Sequence, residues 1–475
     1  MAAFLRRATG RRCLIIALLA SLFYVQASLI RTLNASLESK VMEPNLKTSV
    51  PFHVPMNTVR KIRRRIIPFV FLGFIVAFLD RINIGFAALT MNGSVGVTPK
   101  QFGLVTGIFF IGYFFFEIPS NLLLHRIGAR IWIARIMISW GLVAVLTGFV
   151  HSVPQLYLLR FLLGMAEAGF FPGGLLYLTY WFRQREYGQA VALFIAAIPV
   201  SNVIGSPVCG FILDHMHGLG LDSWRWLLIL EGIPAIACGI VIYFLLPSRP
   251  AEAKFLTQDE KDWLAGELTR EATQKLEGQP LSALQALGKG RVWYLASILF
   301  TLLIGFYAMS FWMPQVVKSV SIQSSNTMVG IMVMIPHLAG LVAMVIISRS
   351  SDASLERRFH AGIPTLIAGI AMLLLATTSS ALVSIVLFSF VAMGTYSFFG
   401  PFWSLPGEFL SGASAASGLA LIASFGNLGG FVGPYMIGAI SQRTGSVHGN
   451  LAFAAIALWV CAALLLFLPK KTWVG

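Results

Sequence analysis

The sequence predicts an all-α polytopic membrane protein, with twelve transmembrane helices in two pseudo-symmetric six-helix bundles. Three observations carry that expectation. Of 475 residues, 57% are hydrophobic and 11% are Asp, Glu, Lys or Arg, under half the roughly 25% charged share of a soluble domain. Mean hydropathy is +0.79. Apolar runs of spanning length recur twelve times, six on each side of one polar stretch. A soluble enzyme, a disordered chain and a secreted disulfide scaffold are thereby excluded. Cys13, Cys209, Cys238 and Cys461 lie singly in apolar runs, without zinc or thiol-redox spacing, and read as small core residues.

The first six runs fall at about 66–90, 101–124, 131–150, 154–180, 188–213 and 224–246. The second six fall at about 292–316, 326–348, 361–378, 381–404, 415–440 and 449–469. Each suits a hydrocarbon core of about 30 Å, and two blocks of near-equal length suggest a duplicated unit. The expected organisation is an N-terminal extension (1–59), a first bundle (60–247), a linker (248–291) and a second bundle (292–475).

Topology follows from counting basic residues. With Arg60, Lys61, Arg63, Arg64 and Arg65 in the cytoplasm, alternating loops place 22 Lys and Arg on that side. The other side holds only 4: Lys100, Arg225, Lys318 and Arg443. The bias puts both ends of the twelve-helix core inside and accounts for the net charge of +16 without nucleic acid. In the linker, Thr257-Gln258-Asp259-Glu260 reads as a capping box opening a helix along the membrane face, with Trp263, Leu264 and Leu268 as its apolar stripe.

Residues 1–59 fit this plan poorly. Arg6, Arg7, Arg11 and Arg12 precede an apolar run, as in a signal sequence. A thirteenth span there would leave four arginines outside. Met56, just before the basic run, would make a natural start; a disordered or membrane-surface tail and a true extra element are the other readings. No function is placed on this segment.

Charge inside a bilayer costs about 2.5–3.5 kcal/mol even on the lenient insertion scale, so each intramembrane charge needs a reason. The first bundle holds Asp80 and Arg81 in its first span, Glu117 in the second, Arg160 and Glu167 in the fourth and Glu231 in the sixth. Arg160 and Glu167, seven apart, share one helix face, whereas Asp80 and Arg81 diverge by about 100°. Glu117 and Glu231, nearer span ends, read as structural. The second bundle offers polar and aromatic groups instead: Tyr307, Trp312, Gln315, Ser404, Ser424 and Asn427. A cationic site with titratable carboxylates would bind an anion and exchange protons, while the uncharged bundle supplies hydrogen bonds and shape. The simpler reading makes Asp80–Arg81 and Arg160–Glu167 satisfied ion pairs holding helices together. Prolines such as Pro119, Pro172, Pro199, Pro207 and Pro434 punctuate the spans. No nucleophile–base set, metal cluster or cofactor motif is present, so neither an enzyme nor a metal protein is expected.

Four strings then carry a resemblance. They are Phe78-Leu79-Asp80-Arg81-Ile82-Asn83; Phe116-Glu117-Ile118-Pro119-Ser120-Asn121 with His125-Arg126-Ile127-Gly128-Ala129-Arg130; Arg160 through Gly173; and Trp224-Arg225-Trp226 leading to Glu231-Gly232-Ile233-Pro234. In these, over about residues 60–470, the chain resembles the major facilitator superfamily and, within it, the anion:cation symporter family of bacterial permeases. The superfamily's loop motif, Gly-x-x-x-Asp-Arg-x-Gly-x-Arg, is matched in part. Arg126, Gly128 and Arg130 fit, Asn121 stands for the first Gly and His125 for the Asp; Asp352 with Arg357 and Arg358 is a weaker echo after the eighth span. Replacing that Asp by His removes a fixed negative charge from the expected gate.

The resemblance implies a proton-coupled importer of a small organic anion such as a sugar acid, tartrate or an aromatic carboxylate. It implies a monomer in a bacterial inner membrane, partnered by its anion, protons and lipid. It makes Asp80 and Glu167 proton-coupling groups and Arg81 and Arg160 carboxylate partners. Tyr113, Ser404 and Asn427 become substrate contacts, and Arg126, Gly128, Arg130 and Asp352 gating residues. The polar side chain often found midway in the fifth span is replaced by Ala196-Ala197-Ile198-Pro199. Uniport, antiport (which the Gly205–Gly210 stretch resembles) and a non-transporting sensor are the alternatives.

Overall fold

Local sequence sets the helices and lipid-compatible apolarity sets their surfaces. The computed structural model describes residues 53–277, 289–406, 412–445 and 450–468. The first bundle has spans one (His53–Val95), two (Pro99–Ile127), three (Ala129–Thr147), four (Val153–Glu167 and Phe170–Thr179), five (Gln184–Ile195 and Ala197–His215) and six (Ser223–Leu245). The second has seven (Gly290–Val320), eight (Asn326–Ser354), nine (Arg358–Leu375), ten (Ala381–Ser404), eleven (Gly412–Asn427 and Gly429–Thr444) and twelve (Leu451–Leu466). Eleven of these are long and apolar enough to cross a bilayer, and the twelfth is apolar but shorter. Among the described residues no strand forms beyond one isolated bridge, Gly218 to Leu221. From Pro55 onward the described residues belong to one compact unit; the extension expected over 1–59 lies outside the described residues up to residue 52.

Large side chains such as Phe244, Leu146, Leu382 and Ile456 stay exposed on the outside, as lipid-facing positions must when helices are apolar all round. Inside, close helix approach is bought with glycine. A Cβ on Gly164 would come within 1.9 Å of the Phe109 carbonyl oxygen, and one on Gly112 within 2.4 Å of that of Phe161, so spans two and four touch backbone to backbone.

Three spans are broken. Span four stops at Glu167, turns through Gly169 at φ +88° and restarts at Phe170; Pro172 sits in the restarted first turn, where a missing N–H costs nothing. Span five breaks at Ala196, where Pro199 cannot donate to the carbonyl four residues back. Span eleven breaks at Leu428, directly after Asn427. All three breaks lie level with a cavity between the bundles.

The linker helix, Gln258–Glu277, opens on the capping box expected of it. The Thr257 N–H donates to Glu260 Oε2 at 2.9 Å and the Glu260 N–H to Thr257 Oγ1 at 3.4 Å. Leu264 is buried, and Arg183 ties the helix down through Glu267 at 2.9 Å and the Trp263 ring. Burial raises the Glu260 carboxyl, but hydrogen bonds from Lys61 and the Thr257 N–H outweigh it and hold the group below its ordinary value. Arg60–Arg65, Arg126, Arg130 and this linker mark one end of the molecule as basic.

Candidate functional site

The cavity encloses about 540 Å³ of empty space, including the part open to solvent, and is lined from both bundles. Its polar wall is Arg81 of span one, Tyr113 of span two, Tyr307 of span seven and Asn427 of span eleven. Its apolar wall includes Phe74, Phe171, Phe306 and Trp403. Phe74 stacks on Phe194 at 4.3 Å, and Phe171 meets Trp403 across the bundles at 6.2 Å.

Arg81 is the hub. One guanidinium nitrogen donates to Tyr307 Oη at 3.0 Å, in the opposite bundle, and the other pairs with Glu167 Oε1. The Phe78, Phe109 and Tyr113 rings surround it at 5.0–5.4 Å, where their faces attract the cation. Glu167 can reach it because span four ends there, and the break at Gly169 leaves the carboxylate at a helix terminus.

Asp80 and Arg160 stand behind this pair. Both are 1% exposed and neither lines the cavity. Asp80 Oδ1 accepts from Asn83 at 3.3 Å, while its Oδ2 is buried without a partner. Arg160 lies over the Phe109 ring at 5.4 Å, with Nε and Nη2 unpartnered, close enough for its charge to couple to Asp80 and Glu167. The simple pairing considered from sequence, Asp80 with Arg81 and Arg160 with Glu167, is therefore replaced by a crossed arrangement. Adjacent residues leave a helix about 100° apart, so Arg81 turns to span four and the cavity, and Asp80 turns away.

Of the other expected contacts, Ser404 is not on the cavity wall. Its hydroxyl donates to the Gly400 carbonyl at 3.2 Å, and span ten presents Phe399 and Trp403 instead. At the basic end Arg126 is exposed. Gly128 at φ +97° joins spans two and three, and the Arg130 N–H donates to Ser248 Oγ at 3.4 Å. Asp352 pairs with Arg357 at 2.6 Å. The His125 side chain lies outside the described ones.

Sequence reasoning read Glu117 as structural and did not place it beside the site. It is fully buried, and Ser424 Oγ of span eleven donates to its Oε2 at 2.5 Å, across the bundles. Its spacing of four from Tyr113 puts it on the same stripe of span two; that was the available signal. Among the described residues no group of His, Cys, Asp and Glu could hold a metal. A hub arginine, aromatic walls and buried carboxylates suit a small anion and proton exchange.

A model of the Major Facilitator Superfamily matches residues 70–434. A protein of Agrobacterium vitis named "Putative tartrate transporter" is 44% identical over 450 residues, covering 94% of this chain and 97% of that one. The "Putative metabolite transport protein NicT" of Pseudomonas putida is 41% identical over 413 residues, covering 86% and 94%. The xylose transporter XylE of E. coli, solved in a partially occluded inward-open conformation, superposes with a TM-score of 0.68 at 17% identity, covering 87% of this chain and 99% of that one.

Proposed function

The chain belongs to the Major Facilitator Superfamily, and from that premise we propose that it imports a small organic anion with protons by alternating access. It is a membrane transporter and not an enzyme. The observation that carries the proposal is Arg81, set in a cavity wall and shared between Glu167 of one bundle and Tyr307 of the other. The named tartrate relative supports a carboxylate as cargo.

A carboxylate entering a low-dielectric cavity needs a counter-charge. At 4 Å and an effective dielectric of about 20, one arginine offers about 4 kcal/mol before desolvation. While Glu167 is ionised it occupies that arginine and competes with the substrate. Protonating Glu167 frees the guanidinium, the anion takes its place against Tyr113 and Asn427, and the bundles rock. Losing the proton on the other side restores the internal pair and expels the anion. Asp80 and Arg160 form the second layer of the relay. The basic end faces the cytoplasm of a bacterial inner membrane by the charge bias, with Arg126, Gly128, Arg130 and Asp352 as its gate.

The test uses proteoliposomes with an imposed pH gradient. Glu167→Gln is expected to abolish accumulation of labelled tartrate, sugar acid or aromatic acid while sparing exchange between preloaded vesicles. Undiminished accumulation removes Glu167 from coupling. Failure of the parent protein to take up any of these acids overturns the organic-anion reading.

A further inference from the structure

Among the contacts between the bundles at the end opposite the basic one, one is built twice. Where span five crosses span eight, a Cβ on Gly210 would come within 2.2 Å of the Asn326 carbonyl oxygen, and one on Gly330 within 2.3 Å of that of Ser206. Where span eleven crosses span two, a Cβ on Gly438 would come within 2.3 Å of the Pro99 carbonyl oxygen, and one on Gly103 within 2.5 Å of that of Pro434. The registers coincide. Gly210 and Gly438 each face the first residue of the opposing helix. Four residues into that helix stands the second glycine, facing the residue four before the first.

Four residues beyond Gly210 and Gly438 come Asp214 and Gln442, and each reaches the opposing helix N-terminus. Asp214 Oδ1 accepts the Asn326 N–H at 3.1 Å, and its Oδ2 accepts the Thr327 N–H and Oγ1, both at 2.7 Å. Ser325 accepts the Met328 N–H at 3.2 Å, so three of the four free N–H groups opening span eight are occupied, two of them by the other bundle. Gln442 Oε1 accepts from the Lys100 N–H at 3.3 Å and from Thr98 Oγ1 at 3.2 Å. One copy of the contact is charged and the other neutral.

We propose that Asp214 and Gln442 form a duplicated latch on this end, and that the charge of Asp214 on the helix N-terminus makes the five–eight crossing the tighter one. The deduction rests on the alternating-access reading. Parting the bundles strips Asn326 and Thr327 of their acceptor and the carboxylate of its donors. An anion at a helix N-terminus, bonded to its N–H groups, is worth on the order of a tenfold shift between closed and open forms.

Spin-label distances decide it, in lipid nanodiscs, without substrate and with the native cysteines replaced. Labels at His151 and Ser379, exposed in loops of opposite bundles at this end, report separation. Asp214→Ala is expected to raise the longer-distance to shorter-distance ratio about tenfold, and Asp214→Asn, which keeps an acceptor without charge, to raise it less. Adding Gln442→Glu to Asp214→Asn is expected to bring the ratio back, because it charges the second copy. Distributions matching the parent in both Asp214 variants overturn the latch. Should Asp214→Ala fail to insert, a double variant as open as Asp214→Asn overturns the role of charge. No cargo enters the measurement, so an error about the transported anion would leave its result standing.

Discussion

Glu117 shows how one buried carboxylate ties two bundles together. One oxygen is held by Ser424 at 2.5 Å and the other has no partner, so among the described residues Ser424 alone donates to this carboxylate, in a site with no exposed surface. Leaving a buried polar group unpaired costs about 1–3 kcal/mol, more when it is charged. Ser424→Ala therefore lowers the thermal midpoint in detergent by several degrees, whereas Glu117→Gln, whose amide still bonds the hydroxyl, lowers it less. Equal midpoints for Ser424→Ala and the parent would remove the contact from the stability of the bundle interface. Arg81 differs in kind, because its planar fork serves two partners in opposite directions. A lysine offers a point charge without that geometry, so Arg81→Lys keeps the charge yet loses either Glu167 or Tyr307.

Elements here are shaped by where glycine is required and where it is spare. Gly164 has no room for a methyl group against the Phe109 carbonyl, while Gly188, in the first segment of span five, has nothing within 4 Å. Gly164→Ala should cost about 1–3 kcal/mol through forced separation of spans two and four. Gly188→Ala should gain about 0.5–1 kcal/mol from helix propensity alone. Thermal melts of both variants check the pair, and a neutral Gly164→Ala would contradict the crossing. The linker helix adds a pH dependence. Its Glu260 carboxyl lies below its ordinary value of 4.5 when folded, so its contribution is complete above about pH 4.5 and is lost as pH falls through the lower folded value. A spin label at the exposed Gly266 should gain mobility over that acid range, and Glu260→Gln should abolish the transition.

For the molecule as a whole, the sequence made some levels readable and hid others. Twelve spans were legible because crossing a bilayer is a local demand on length and apolarity, and the linker cap because its partners are three residues apart. The hub was half legible. Intramembrane cost singles out Asp80, Arg81, Arg160 and Glu167, but spacing within helices says nothing of partners between them, and so the crossed Arg81–Glu167 pair and the inter-bundle Glu117–Ser424 bond stayed hidden. The break after Asn427 carries no proline at that point, only Gly426, Gly429 and Gly430 around it. The duplicated Gly-x-x-x-Asp and Gly-x-x-x-Gln contact was present as text, yet recognising it needs the opposing helix ends. These contacts together define which face of the protein is closed. Backbone seams join span five to eight and span two to eleven at one end, while at the cavity the bundles meet through side chains such as Phe171 with Trp403 and Glu117 with Ser424. The cavity should therefore be reached from the basic end alone in this state. A cysteine placed at Ala423, on the cavity wall, is expected to react with a membrane-impermeant thiol reagent in inside-out vesicles and to be protected in right-side-out ones. Asp214→Ala should weaken that protection by raising the share of molecules open at the other end. Equal labelling of the parent from both sides, or labelling from the opposite side alone, would reverse the assignment of the closed face.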